Sequence, residues 1–99
     1  MAKLKFTRRA VNDLAEIWEY TAANWSESQA DKYYRMLIAD CQMLSDNPII
    51  GLKYPEISSH LFGLKSGRHI VFYTRIDEDF IEIVRILHEQ MDLKNRFLE

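Results

Sequence analysis

Arg68, Arg75, Arg85 and His88 are the side chains of this 99-residue chain that could act together on a phosphodiester. A pair of arginines can stabilise a phosphorane-like state. A histidine titrates near neutrality and can shuttle the proton that RNA cleavage moves. The plainer reading stands beside it. Strand ends carry Arg for solubility, and Arg75 and Arg85 need not share one face of a sheet. The other chemistry-bearing residues form no recognisable set. His60, His69 and His88 have no compact metal-binding spacing. Cys41 falls on the apolar face of an expected helix, where a thiol is a structural group rather than a nucleophile. Three glycines make no phosphate-cradling loop, there is no nucleophile elbow, and Asp77-Glu78-Asp79 reads as a solvated turn. No catalytic residue, metal ligand or cofactor is assigned.

Composition narrows the function classes. A formal net charge of −2 and a pI near 5.9 argue against a general nucleic-acid binder, which concentrates Lys and Arg against phosphates. The one local excess of base is Lys3, Lys5, Arg8 and Arg9, with no acid among them. One cysteine excludes an internal disulfide. Neither a signal-peptide h-region nor a membrane-length apolar run is present, so the expected location is the cytoplasm. The length fits a single domain over residues 1–99.

The elements that would position these residues can be read in order. Lys3 to Thr7 alternates weakly, as a charged edge strand does. Thr7 is a candidate N-cap. From Arg8 to about Ala22, Ala10, Val11, Leu14, Ile17, Trp18 and Thr21 recur on one helical stripe, with Asn12, Glu16 and Glu19 opposite. Trp18 is expected in the core. Ser26 and Gln29 fit a capping box for a second helix from Glu27 to Ser45. That helix should bury Ala30, Tyr33, Tyr34, Leu37, Cys41 and Leu44 and pair Asp31 with Arg35 on its wet side. Met36, Ala39 and Met43 form a second stripe, which either widens the core contact or stays exposed for a partner. Asn47-Pro48 ends the helix. Ile50, Leu52 and Tyr54 lie in an apolar loop, and residues 57–64 suggest a short strand.

Arg68–Arg75 and Phe80–Asp92 are β-branched and aromatic runs around an acidic break, the pattern of a hairpin. Alternation places Ile70 and Phe72 opposite Val71 and Tyr73, and Ile81, Ile83 and Leu87 opposite Phe80, Val84 and Ile86. Both faces are then apolar. The helices cover one. The other needs the C-terminal segment, where Asp92 could cap a short helix carrying Leu93 and Phe97, or another chain.

Several segments resemble one family. They are Thr7-Arg8-Arg9-Ala10, then Asp13-Leu14-Ala15-Glu16-Ile17-Trp18-Glu19-Tyr20, Gln29-Ala30 leading to Tyr33, and Asn47-Pro48-Ile49-Ile50-Gly51. The most specific is His69-Ile70-Val71-Phe72-Tyr73 with Val84-Arg85-Ile86-Leu87-His88-Glu89-Gln90-Met91-Asp92. In order, and over nearly the whole chain, they resemble ParE-type toxins of the RelE/ParE superfamily. The resemblance implies an α+β fold of order β-α-α-β-β-β, a helical hairpin packed on a small twisted antiparallel sheet.

It also implies the toxin of a type II toxin–antitoxin module, a non-enzymatic inhibitor of DNA gyrase. A ParD-like antitoxin would neutralise it in a hetero-oligomer and repress the promoter, so the toxin would meet DNA only indirectly. Antitoxin contacts are expected at Ile50, Leu52, Tyr54, Tyr73 and Arg85. Target contacts are expected at His88, Met91, Leu93 and Phe97. The RelE-like branch offers the alternative, a ribosome-dependent messenger-RNA endoribonuclease using Arg85 and His88, and an inactive antitoxin-binding module is a third reading. RelE-like enzymes carry a dense basic surface, which this net-acidic chain lacks.

Overall fold

A computed structural model of the chain describes residues 3–98. Strand β1 (Lys3–Phe6) leads into helix α1 (Arg8–Asn24), and α2 (Glu27–Asp46) follows after Trp25 and Ser26. Both helices begin where the sequence supplies a cap: the Ala10 N–H donates to Thr7 Oγ1 (3.1 Å) and the Gln29 N–H to Ser26 Oγ (3.0 Å). Three further strands, β3 (Phe62–Ser66), β4 (His69–Arg75) and β5 (Phe80–His88), follow the two-residue β2 (Leu52–Lys53), and α3 (Leu93–Leu98) closes the chain. The sheet order is β1-β5-β4-β3-β2. β2, β3, β4 and β5 pair antiparallel, with the short β2 formed where a loop was expected, whereas β1 lies parallel to β5 at the edge, so the sheet is mixed rather than wholly antiparallel. The strand expected over 57–64 begins later, at Phe62, because Tyr54–Leu61 forms turns closed by Ile57 N–H and Ser58 N–H to Tyr54 O.

The helices bury one sheet face. Ala10 and Leu14 of α1 and Leu37, Cys41 and Leu44 of α2 pack on Val71, Tyr73, Ile81, Ile83 and Ile86. Burial pushes the Cys41 thiol up to about 12, with Asp40 adding to the shift, so it is inert. The second face is covered from within the chain. Ile70, Phe72, Leu87 and Leu61 are sealed by Tyr54, Ile57, Leu93 and Phe97. Phe72 meets Tyr54 and Phe97 edge-on, with ring centroids 5.1 and 5.8 Å away.

One grouping from alternation is corrected. Ile86 joins Ile81 and Ile83 on the helix side, and Leu87 joins Val84 and Phe72 on the other. The register explains it: Phe72 opposes Arg85, but Tyr73 opposes Ile83, so Val84 is an extra residue on β5. Such a bulge reverses the inside–outside order beyond it. The helix stripes are narrower than expected. Val11 and Tyr34 are exposed, and Trp18 is half-buried, with its Nε1–H donating to Asp31 Oδ1 (2.9 Å) across the hairpin. That bond takes the carboxylate expected to pair with Arg35. Of the second stripe on α2, Met36 packs on the core while Ala39 and Met43 are exposed.

Candidate functional site

The bulge frees backbone groups that a regular ladder would satisfy, and α1 satisfies them. Thr7 donates its N–H to Ile83 O (3.0 Å) and its hydroxyl to Val84 O (2.8 Å). Asp13 Oδ2 accepts the Ile86 N–H (3.0 Å). The same carboxylate receives Arg85 in a two-point pair, Nε to Oδ2 (2.7 Å) and Nη2 to Oδ1 (3.0 Å). Arg85 Nη1 donates to Arg96 O (2.7 Å), which ties α3 to the same point. Only 11% of the Arg85 side chain and 9% of that of Asp13 remain accessible. A charge on the stripe between Ala10 and Ile17 was the sequence signal for Asp13. Its partner lies on the other side of the sequence and left none.

Beside this clamp, α1, the start of α2 and the end of β5 enclose a groove of about 920 Å³. Glu16, Ile17 and Tyr20 form one wall, Trp25 and Tyr33 the end, and His69, His88 and Met91 the other side. His69 and His88 are cross-strand neighbours, with ring centroids 5.2 Å apart and planes at 80°. Tyr33 Oη lies 2.6 Å from His69 Nδ1 and accepts the Arg68 N–H (2.9 Å). Burial, and then the charge of His88, lower the His69 pKa to about 4, so its ring is neutral at pH 7. Burial raises the Tyr33 hydroxyl. His88 Nδ1 accepts the Gln90 N–H (3.1 Å), which places a neutral ring's proton on Nε2. Glu89 is lowered by the hydrogen bond from Lys65, with Arg68 also nearby.

This groove gathers Arg68, Arg85 and His88 but not Arg75. Arg75 lines a separate shallow cleft of about 370 Å³ with His60, Phe62, Asp77 and Glu78. Two arginines free to receive a phosphate are therefore not assembled around His88, because Asp13 and the Arg96 carbonyl hold Arg85. Tyr33 and His69, which the sequence did not single out as site residues, complete the groove. Hairpin register brings position 69 to 88, but nothing in the sequence links Tyr33 to either. Among the described residues no three metal-ligating groups converge.

The expected partner-binding residues fall into distinct environments. Leu52 is 71% exposed on β2, beside Ile49 at 74%. Ile50 and Tyr54 are half-buried, against the helix-side core and Phe72 respectively. Tyr73 needs correction as a contact residue. It is fully buried, donates its hydroxyl to Pro48 O (2.8 Å) and accepts the Gly51 N–H (3.0 Å), so it holds the loop from beneath. Arg85 likewise finds its carboxylate within the chain. Of the expected target contacts, Met91 is 40% exposed and His88 lines the groove, whereas Leu93 and Phe97 face the second core cluster.

Comparison with known proteins adds independent evidence. A family model described as "ParE toxin of type II toxin-antitoxin system, parDE" matches residues 4–93. The chain is 34% identical over 94 residues to Toxin ParE1 of Caulobacter vibrioides, covering 95% of this chain and 96% of that protein. It is 38% identical over 80 residues to Toxin ParE1 of Mycobacterium tuberculosis, covering 81% and 82%. Its fold matches a chain of a solved structure described as "Chromosomal ParDE TA system from P. aeruginosa" with a TM-score of 0.78. That match is 21% identical and covers 89% of this chain and 96% of the other.

Proposed function

The chain belongs to the ParE toxin family of type II toxin–antitoxin systems, and from that premise we propose that it inhibits DNA gyrase by binding rather than catalysis. A ParD-like antitoxin neutralises it in a cytoplasmic hetero-oligomer, and the toxin meets DNA only through that antitoxin. The observation that carries the binding reading is the engagement of Arg85: its Nε, Nη1 and Nη2 are all donated within the fold. An endoribonuclease would need that guanidinium for the phosphate, and with Arg85 held the groove leaves His88, of the expected arginines, only Arg68, which also lies beside Glu89.

Exposed Leu52 and Ile49 beside the open edge of β2 support that segment, with Ile50 and Tyr54, as an antitoxin contact. His88 and Met91 in the groove are the better-placed target contacts, and Leu93 and Phe97 support them by holding α3. The test is supercoiling by purified gyrase with added toxin, run beside a translation reaction programmed with messenger RNA. Loss of supercoiling with intact message is expected. Cleaved message with normal supercoiling would move Arg68, Arg85 and His88 into a catalytic site and overturn the proposal.

A further inference from the structure

His69 and His88 face each other across β4 and β5, and both line the groove. In each ring one nitrogen is already occupied by the chain. His88 Nδ1 accepts the Gln90 N–H at 3.1 Å. His69 Nδ1 lies 2.6 Å from Tyr33 Oη, which itself accepts the Arg68 N–H at 2.9 Å. The direction of the Tyr33–His69 bond follows from counting hydrogens. The phenol has one, and burial raises its pKa, so the hydroxyl stays protonated. Among the described residues, His69 Nδ1 is the acceptor that this hydroxyl meets. Were the ring the donor, a half-buried hydroxyl would hold an unused hydrogen. Tyr33 therefore donates, and His69, like a neutral His88, carries its hydrogen on Nε2.

Among the described residues no group takes either Nε2. A metal ion needs the ring nitrogen that carries no hydrogen, so these tautomers suit an acceptor instead. The surroundings agree in sign. Arg68, Arg85 and Arg96 line the groove against Asp13 and Glu16, an excess of one positive charge on a chain of net charge −2. Exposed Tyr20 and Trp25 supply an apolar wall beside it. We propose that Tyr33 is a positioning residue that fixes His69, beside His88, as a pair of Nε2–H donors, and that this pair receives a carboxylate from the segment of gyrase that enters the groove. The assignment rests on the gyrase reading above and deepens it by naming the chemistry of the contact. A carboxylate has two oxygens, one for each ring. A phosphate fits less well, because Asp13 holds Arg85 and Glu89 lies beside Arg68, so little uncommitted positive charge faces it.

The first test reads the toxin alone. Long-range proton–nitrogen correlation spectra of the full chain should show both rings with the hydrogen on Nε2. Tyr33→Phe should move His69 toward a mixture of tautomers and leave His88 unchanged. A wild-type His69 with its hydrogen on Nδ1 would overturn the proposal. The second test is gyrase supercoiling, with circular dichroism to confirm that each variant is folded. His69→Leu and His88→Leu should need about tenfold more toxin for half-inhibition, and Tyr33→Phe about threefold more. His69→Gln and His88→Gln keep a neutral N–H and should lose less than their leucine counterparts. His88→Glu tests the sign of the incoming group: it should inhibit less than His88→Leu, because like charges repel. Stronger inhibition than His88→Leu would mean a cationic partner and overturn the carboxylate. Calorimetric titration of gyrase without DNA should show the same order of affinities. Differences that appear only with DNA present would assign the acceptor to a phosphate and overturn the carboxylate. Unchanged inhibition by the folded leucine variants would overturn the donor pair while leaving the gyrase reading intact. A wild type that leaves supercoiling untouched would overturn both.

Discussion

Asp13 and Arg85 lie seventy-two residues apart and meet in a bidentate pair of 2.7 and 3.0 Å at the β5 bulge. Their contact is shared with the Ile86 N–H and the Arg96 carbonyl, so it joins α1, β5 and α3 at one point. Arg85→Met should therefore destabilise the fold by about 3–5 kcal/mol, since it leaves Asp13 buried without its counter-charge. Asp13→Leu should cost a similar amount. The double variant should cost clearly less than the sum, with the orphaned Ile86 N–H accounting for much of the residue. Urea unfolding of the four proteins checks this. Additive losses would mean that the two residues act independently.

His69 makes stability depend on pH. Its folded pKa, about 4, lies below the ordinary histidine value of 6.5. The unfolded chain therefore binds the proton more readily between those values. The contribution is complete above about pH 6.5 and is lost as pH falls toward 4. The side chain is only half-buried, so about 1–2 kcal/mol is expected after allowing for solvent screening. Melting temperatures at pH 7 and pH 4.5 should converge between wild type and His69→Gln as the acid removes the advantage of the neutral ring.

His88→Ala should weaken growth arrest by about tenfold or less without abolishing it if binding to gyrase is the activity, because one target contact is lost but no proton transfer is needed. Growth curves after induction, with circular dichroism to confirm folding, read this directly. Complete loss of toxicity in a folded variant would favour the nuclease.

Tyr73→Phe removes one hydroxyl that serves both Pro48 O and Gly51 N–H. A loss of about 1–3 kcal/mol is expected, since both loop groups lose their partner. Hydrogen exchange at Gly51 should accelerate far more than exchange in α2. Equal acceleration throughout would show global rather than local loosening.

Leu52→Asp tests whether neutralisation and toxicity separate. The side chain is 71% exposed, so stability should shift by no more than about 0.5 kcal/mol. Antitoxin affinity should fall about tenfold or more, while arrest in the absence of antitoxin persists. Calorimetric titration and growth assays together decide it.

Much of the fold was legible because its causes are local. Thr7 and Ser26 cap helices by their own side chains, Pro48 stops one, and the spacing of Ala10, Leu14 and Ile17 states which side is buried. The two apolar runs after Arg68 declare a hairpin, and their lack of a wet face announced that a second layer must exist. The tertiary structure decided what depends on residues meeting across long sequence separations. A single extra residue at Val84 reverses Ile86 and Leu87, and alternation alone carries no mark of it. Whether Arg85 faced a phosphate, a partner or Asp13 was settled only when α1 packed on β5. The chain's own Phe97 and Tyr54 took the place that another chain could have filled. Periodicity fixes which way a side chain points within its element. What it meets there depends on how the elements pack.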